Sequence, residues 1–169
     1  MPINLELKIP LLSFNEVEKL LSKYRIKKEK IIKQKDIYYK NKKALLKMRI
    51  EDGKYYLIKY NRDEKKTRWS NYQIIELTGE RIEKYFSEVL EPIVTVEKVR
   101  RLYLYNNTRI HLDDVKKLGK FLELETVVSR NKNFALNEFN KIVSMLNLNV
   151  SSQIRASYKD LLLNKNLRR

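Results

Sequence analysis

Residues 3–10 read INLELKIP, and apolar and polar residues alternate through this stretch without interruption. In a β-strand, successive side chains point to opposite faces of the sheet, so the segment would have one apolar and one polar face. The same alternation recurs along the chain, and the fold therefore depends on where all the charged faces point. In this first strand the apolar face consists of Ile3, Leu5, Leu7 and Ile9, and the polar face of Asn4, Glu6 and Lys8.

The other alternating segments predict further strands, and apolar residues at helical spacing predict a few helices. Asp52-Gly53 lies between two alternating segments, which is typical of a β-hairpin turn. The residues from Ser13 to Glu16 form a capping-box pattern that would open the first helix and bury Tyr24 among others. Strands are predicted at about 3–10, 27–40, 45–51, 54–60, 67–77, 93–105, 108–113 and 120–128, and helices from about 13, 79, 134 and 157.

This order of elements predicts an α+β fold. Most connections between strands are short, so antiparallel neighbours are expected, and eight antiparallel strands readily close into a barrel. No linker rich in Pro, Gly or Ser interrupts the chain, so we expect one domain over residues 1–169. The barrel strands would extend to about residue 128, and helices at about 133–165 would pack outside.

The composition favours a polyanionic partner. Lys and Arg outnumber Asp and Glu by 37 to 21, and a net charge of +16 attracts nucleic acid, anionic lipid or phosphorylated metabolites. Cysteine is absent, which excludes disulfides and thiolate chemistry, and the lone His111 argues against a histidine-based relay or metal site. No apolar segment approaches the length of a membrane span, so we expect a cytoplasmic protein that makes no membrane contact.

The charged faces of the strands allow two interpretations. In the first they are the solvent-exposed faces of an open sheet, the usual position for charged residues. In the second the sheet closes around them, and each charge must then be paired or neutralised by a ligand. The basic side chains would suit a phosphate chain, and the acidic ones Mg²⁺ or Mn²⁺, which take oxygen ligands. The basic set is Lys8, Lys47, Arg49, Lys59, Arg68, Lys98 and Arg100, and the acidic set is Glu6, Asp113, Glu123 and Glu125.

Six short motifs carry most of these charges, namely NLELK at 4–8, QKDIY at 34–38, LKMR at 46–49, VEKVR at 96–100, HLDDV at 111–115 and FLELE at 121–125. In this order they resemble the motifs of the CYTH proteins, also called triphosphate tunnel metalloenzymes. That family includes class IV adenylate cyclases, thiamine triphosphatases and inorganic triphosphatases. The segment SYKDLL at 157–162 is similar to a pattern of the cyclase-like branch.

The resemblance implies a closed tunnel with the charges inside and metal-dependent chemistry on a triphosphate. It implies a cluster of catalytic residues, consisting of Glu6, Lys8, Arg49 and Glu125. It implies that Mg²⁺ or Mn²⁺ is held by Glu6, Glu123 and Glu125, with Asp113 assisting. It also implies that the triphosphate is bound by the basic set, consisting of Lys8, Lys47, Arg49, Lys59, Arg68, Lys98 and Arg100.

The sequence departs from the family pattern at several acidic positions. The first glutamate of the family motif is Asn4 here, and acids common around the fifth strand are replaced by Ser70, Asn71 and Tyr72. An asparagine carbonyl still ligates a metal or its water, but negative charge is lost. His111 is interpreted as a rim or packing residue rather than a ligand.

Three functions are compatible with this sequence. The first is metal-dependent hydrolysis of the terminal phosphate of inorganic triphosphate, or of a nucleoside or thiamine triphosphate. The second is a class IV adenylate cyclase that converts ATP to cyclic AMP and pyrophosphate, although no purine site is recognisable. The third is a non-catalytic protein that binds polyanions, with an affinity that falls steeply with salt. Under the enzyme hypotheses nucleic acid is not an expected partner, and the apolar helix faces leave a homodimer open.

Overall fold

A computed structural model describes the backbone of residues 3–62, 69–129 and 131–167, and the side chains of residues 4–59, 72–129 and 131–167. Eight strands and four helices follow one another in this part of the chain, with a 3₁₀ segment at Val150–Ser152. The strands are β1 (Ile3–Leu11), β2 (Lys28–Tyr39), β3 (Leu45–Glu51), β4 (Lys54–Arg62), β5 (Trp69–Leu77), β6 (Pro92–Tyr105), β7 (Thr108–Val115) and β8 (Gly119–Val127). The helices are α1 (Asn15–Lys23), α2 (Ile82–Val89), α3 (Lys132–Met145) and α4 (Tyr158–Leu167).

All eight strands belong to one antiparallel sheet, so the predicted α+β class with eight antiparallel strands is confirmed. The strand order is β1-β5-β4-β3-β2-β6-β7-β8, and β1 pairs with β5 on one side and with β8 on the other, which is the order of a closed barrel. The β1–β8 ladder registers eight residue pairs, whereas the β1–β5 ladder registers only three, from Ile3↔Asn71 to Leu5↔Trp69.

The apolar face of β1 lies outside the sheet, beneath helices. Leu5, Leu7 and Ile9 are almost fully buried in a cluster with Leu21 of α1 and Phe139 of α3. Burying apolar surface is the main favourable term in folding, so this packing directs the other face of β1 to the interior of the sheet. Because side chains alternate, Asn4, Glu6 and Lys8 must then point inward.

Helix α4 packs against one end of the sheet. Tyr158 is buried in an apolar cluster with Phe121, and the two rings meet edge to face with centroids 5.1 Å apart. The preceding segment is anchored to β1, since Ile154 N–H donates to the carbonyl of Lys8 at 2.8 Å. The C-terminal segment therefore packs next to the residues of β1 that face the interior of the sheet.

Local predictions were confirmed at the hairpin and partly wrong at the first helix. Asp52 and Gly53 both have positive φ, as a tight β-hairpin turn requires, and join β3 to β4. Helix α1 begins after Phe14 without a side-chain cap, so the capping box predicted from Ser13 is wrong, and Tyr24 is 41% exposed. None of the helices in the described ranges combines the length and the apolar content that a membrane span requires.

Candidate functional site

The inner face of the sheet encloses a cavity of about 310 Å³ that is lined by charged side chains from most of the strands. The charges are buried there, since Lys98, Arg100 and Asp113 are 6%, 5% and 0% exposed. The charged face of the sheet is therefore not exposed to solvent. The interior holds these charges in groups of opposite sign, each built on one or two strands.

The first group surrounds Asp36 on β2. Arg49 of β3 donates to both carboxylate oxygens of Asp36 at 2.7 and 2.9 Å, and the Lys47 ammonium lies 2.8 Å from Oδ2. The register pairs Asp36 with Arg49 directly, so all three side chains share the inner face. Burial would raise the pKa of Asp36, but the charges of Arg49 and Lys47 outweigh it and hold this pKa well below its usual range. Burial, with the neighbouring Arg49 charge, lowers the pKa of Lys47 to about 7.

The second group surrounds Asp113 on β7. Arg100 donates to its two carboxylate oxygens at 2.7 and 2.6 Å, and Lys98 lies 3.5 Å away. The Tyr158 hydroxyl also donates to Asp113, at 3.1 Å. Burial would raise the pKa of Asp113, but the charges of Arg100 and Lys98 lower it below its ordinary value. Asp113 therefore acts as a fixed anion that orients two cations.

The third group links β1 to β8 and to the C-terminal segment. Glu123 lies 2.6 Å from Arg100 and 3.4 Å from the Lys8 ammonium. Lys8 also donates to the carbonyl of Ala156 at 2.9 Å, and its ammonium lies 4.4 Å from the centre of the Tyr158 ring. Lys8 is thus held by a carboxylate, a carbonyl and an aromatic face, and a phosphate entering the cavity would meet a positioned ammonium.

The fourth group consists of Arg109, His111 and Glu125. Arg109 lies 3.0 Å from Oε2 of Glu125, and His111 Nδ1 lies 3.6 Å from Oε1. Burial and the nearby Arg100 charge lower the pKa of His111 to about 4, so its imidazole is neutral at pH 7. His111, Glu123 and Glu125 each offer one ligand atom, and these three atoms lie within 4.8 Å of one another. His111, Glu123 and Glu125 together therefore form a candidate site for a divalent metal ion.

Most of the residues predicted from the sequence meet in this cavity. Asp113 lies beneath its lining, bound to Arg100 and Lys98. Asp113 and Glu6 are absent from the cluster of potential metal ligands found among the described residues. The predicted residues that line the cavity are Glu6, Lys8, Lys47, Arg49, Lys98, Arg100, Glu123 and Glu125.

The structure places Lys59 outside the cavity, which corrects the inward face that was predicted for this residue. Lys47 faces inward and pairs with Ile58 across the β3–β4 ladder, whereas Lys59 pairs with Leu46 on the outer face. Ile58 is accordingly 5% exposed and lines the cavity, while the side chain of Lys59 is exposed. The predicted alternation in β4 was shifted by one residue, and such a shift places each side chain on the opposite face of the strand. Arg68 lies outside the described residues.

Sequence reasoning gave no site role to several polar residues of the cavity, and four of them are Asp36, Arg109, His111 and Tyr158. Asp36 shares the alternation of Gln34, and its position directly opposite the inward Arg49 of β3 was the missing signal. Arg109 and His111 lie four and two residues before Asp113, so the period of the strand places all three on one face. His111 is 3% exposed and lines the cavity, so it is not a rim residue. Tyr158, the fourth, reaches the cavity through the packing of α4, and no local pattern predicts that contact.

The described side chains that β4 and β5 contribute to the cavity lining are uncharged. Ile58 and Ile74 pair across these strands, and both line the cavity with Tyr72. Tyr72 stands where relatives commonly carry an acid, by the resemblance described above. Among the side chains that the structure describes, the cations of the cavity lie on β1, β2, β3, β6 and β7.

The chain belongs to the CYTH domain family. The family model matches residues 2–158, which include all eight strands and the start of α4. A protein of Methanocaldococcus jannaschii that is provisionally named an adenylate cyclase is 30% identical over 172 residues, covering 94% of this chain and 98% of that protein.

Solved structures share the fold at lower sequence identity. The PH1012 protein of Pyrococcus horikoshii has a TM-score of 0.81 at 22% identity, over 94% of this chain and 98% of that one. A provisionally named adenylyl cyclase from Hippeastrum, described as having a dominant triphosphatase activity, has a TM-score of 0.66 at 14% identity. That match covers 98% of this chain and 96% of the other. At these identities the similarity establishes the fold alone.

Proposed function

We propose that this protein is a divalent-metal-dependent triphosphatase that hydrolyses the terminal phosphate of inorganic triphosphate or a related triphosphate inside a tunnel formed by the sheet. The observation that carries the proposal is the set of buried cations around the cavity, next to a cluster of metal-ligating side chains. Five of these cations, Lys8, Lys47, Arg49, Lys98 and Arg100, are each within 3.5 Å of a carboxylate oxygen. Membership in the CYTH family and the activity described for the Hippeastrum protein support the same function.

The basic residues would bind the triphosphate while the buried acids keep them in position. In the resting site Arg49 is bound by Asp36, and Arg100 is bound by Asp113 and Glu123. A guanidinium has five N–H donors, so an arginine that is held by a carboxylate can also donate to a phosphate oxygen, and neither the buried cation nor the buried acid is left unpaired. The buried acids thus keep the guanidinium groups in place before the substrate arrives, which lowers the cost of ordering them on binding.

Hydrolysis at this site would use water as the nucleophile. The chain has no cysteine, so a covalent phosphoenzyme on a thiolate is not available. Phosphoryl transfer depends mainly on positioning and on stabilising charge, which Lys8, Arg49 and Arg100 would supply. Glu6, Glu123 and Glu125, with Asp113 behind them, are the acids we assign to Mg²⁺ or Mn²⁺, which would neutralise phosphate charge and activate the water.

A cyclase is the second candidate, because the Methanocaldococcus jannaschii relative carries that provisional name. Both reactions start from a triphosphate in the same cavity, and they differ in the attacked phosphorus. A cyclase brings the ribose 3′-hydroxyl to the α-phosphorus and releases pyrophosphate, whereas a triphosphatase directs water to the terminal phosphorus. The products therefore separate the two functions without further structural information.

The test is product analysis with inorganic triphosphate, ATP and thiamine triphosphate, each with Mg²⁺, with Mn²⁺ and with chelator. We expect chelator-sensitive release of phosphate, a loss of about 100-fold or more in Glu125→Gln, and unchanged activity in the control Glu97→Gln on the outer face. Cyclic AMP with pyrophosphate would establish the cyclase instead. Absence of product, with triphosphate binding that falls steeply with salt, would establish a non-catalytic polyanion-binding protein.

A further inference from the structure

The cluster around His111 contains a potential metal-ligating nitrogen atom that has no hydrogen-bonding partner of its own. The His111 side chain is 4% exposed, and within the described residues its Nδ1 accepts and donates no hydrogen bond. This atom lies 3.6 Å from Oε1 of Glu125, too far for a hydrogen bond. A neutral imidazole that faces a carboxylate across such a gap is poorly satisfied, since a buried polar atom without a partner costs free energy. A cation between the two atoms would satisfy both.

Asn4 adds a second polar atom without a hydrogen-bonding partner, an amide oxygen, to the same cavity. Its side chain is 1% exposed, and Oδ1 has no hydrogen-bonding partner in the described part of the chain. Asn4 lines the cavity together with His111 and Glu125, and its inward neighbour on β1, Glu6, pairs directly with Glu125. Two unpartnered, almost fully buried polar atoms therefore accompany the carboxylates in this part of the cavity.

We propose that His111, Glu123 and Glu125, with the carbonyl oxygen of Asn4, form a mixed nitrogen–oxygen site that prefers first-row transition ions such as Mn²⁺, Co²⁺ or Zn²⁺ to Mg²⁺. Mg²⁺ requires near-ideal octahedral coordination by oxygen and gives up its water reluctantly. Imidazole suits the transition ions, and affinity for nitrogen ligands rises from Mn²⁺ through Co²⁺ to Ni²⁺. Asn4 stands where the family motif has a glutamate, so one negative charge is missing. A hard cation such as Mg²⁺ depends on that charge more than a transition ion of intermediate softness does.

The neighbouring cations leave room for such an ion. Arg109 lies 3.0 Å from Oε2 of Glu125, while Oε1 faces His111. Arg100 and Lys8 contact the two oxygens of Glu123 at 2.6 and 3.4 Å. Each carboxylate oxygen has two lone pairs, so these contacts do not prevent ligation. Donors that share an ion at bond lengths of about 2.1 Å lie up to roughly 4 Å apart, and the cluster is close to that size.

The direct test detects the nitrogen at the metal. His111 is the only histidine of the chain, so in protein without a histidine tag an imidazole ¹⁴N coupling to bound Mn²⁺ can arise only from this residue. We expect electron spin-echo modulation from ¹⁴N in the wild-type protein with one equivalent of Mn²⁺ and no substrate. Bound Mn²⁺ without imidazole modulation would overturn the inference, as would the absence of Mn²⁺ binding. Because this measurement uses the wild-type chain, it does not depend on how well a variant folds.

Selectivity provides a second test, with His111→Gln as the variant and Glu97→Gln as the control. Loss of an outer-shell partner alone typically weakens metal binding by about 10- to 100-fold, so we expect His111→Gln to weaken Co²⁺ by at least about 10-fold in calorimetric titration. Mg²⁺ affinity should change much less, and the control should match the wild type for both ions. Equal losses for Co²⁺ and Mg²⁺ in a variant with wild-type urea unfolding would overturn the inferred preference.

The inference rests on the metal-dependent site proposed above, but the two can fail separately. Chelator-sensitive hydrolysis without ¹⁴N modulation would leave the triphosphatase in place and refute the role of His111. Modulation without hydrolysis of any triphosphate would leave the mixed site in place and refute the proposed function.

Discussion

The protonation of Lys47 predicts that triphosphate binding weakens steeply as the pH rises above neutrality. Burial and the nearby Arg49 charge lower the pKa of Lys47 to about 7, against the opposing charge of Asp36 at 2.8 Å. A bound triphosphate stabilises the ammonium form, so binding above this pKa must include the uptake of a proton. About nine-tenths of Lys47 is charged at pH 6 and about one-hundredth at pH 9. The affinity should therefore fall by roughly 90-fold, or about 2.7 kcal/mol, over that range.

The assay is calorimetric titration with inorganic triphosphate from pH 6 to pH 9 at constant ionic strength in the presence of chelator. Lys47→Arg, which restores the arginine of the family motif, stays charged throughout and removes this proton uptake. Changes in the ionisation of the ligand affect both proteins equally, so the ratio of the two affinities isolates Lys47. Lys59→Arg on the outer face is the matched control and should follow the wild type. Parallel pH profiles for the wild type and Lys47→Arg would refute the reasoning.

Three further outcomes are expected. Lys98→Ala should weaken binding of inorganic triphosphate by about 10-fold or more in the same calorimetric assay, whereas Lys59→Ala should leave it unchanged; equal effects would show that the face assigned to Lys59 is wrong. Asp113→Asn should lower the free energy of unfolding by about 3 kcal/mol in urea, because Arg100 loses a buried partner, and a loss below about 1 kcal/mol would contradict the role given to this pair. Asn4→Glu should tighten Mg²⁺ binding in a calorimetric titration, and unchanged affinity would place Asn4 away from the metal.

The alternation of the strands predicted most of the cavity because it fixes the face of every second residue. Once Leu5 and Leu7 are buried under helices, Glu6 must face inward, and the same logic holds for Lys47 and Arg49 on β3. Alternation alone does not say whether the charged face is inside or outside the sheet. That choice depends on where the helices pack, and here the family resemblance supplied it before the structure did.

The errors arose where the local pattern carried too little information. In β4, apolar and basic residues do not alternate cleanly around Ile58 and Lys59, so the face of Lys59 was assigned by analogy and was wrong. Tyr158 enters the site only because α4 packs across the end of the sheet. Tyr158 and the residues of β1 are more than a hundred positions apart in the chain, so no local pattern predicts this contact. His111 was set aside because single histidines are often packing residues, although its alternation with Asp113 placed it on the inner face.

The balance of charges inside the cavity has a consequence for how the protein finds its ligand. Among the side chains that the structure describes, seven basic and five acidic ones line the cavity, and the buried Asp113 adds a sixth acid, so this set accounts for little of the net charge of +16. The excess lies elsewhere on the chain, where it accelerates the arrival of any polyanion and is screened by salt. The charges that attract a polyanion to the protein are thus different from the charges that hold it in the cavity. Rising ionic strength should slow capture far more than it speeds release, and the geometry of the interior alone decides which of the captured polyanions stays.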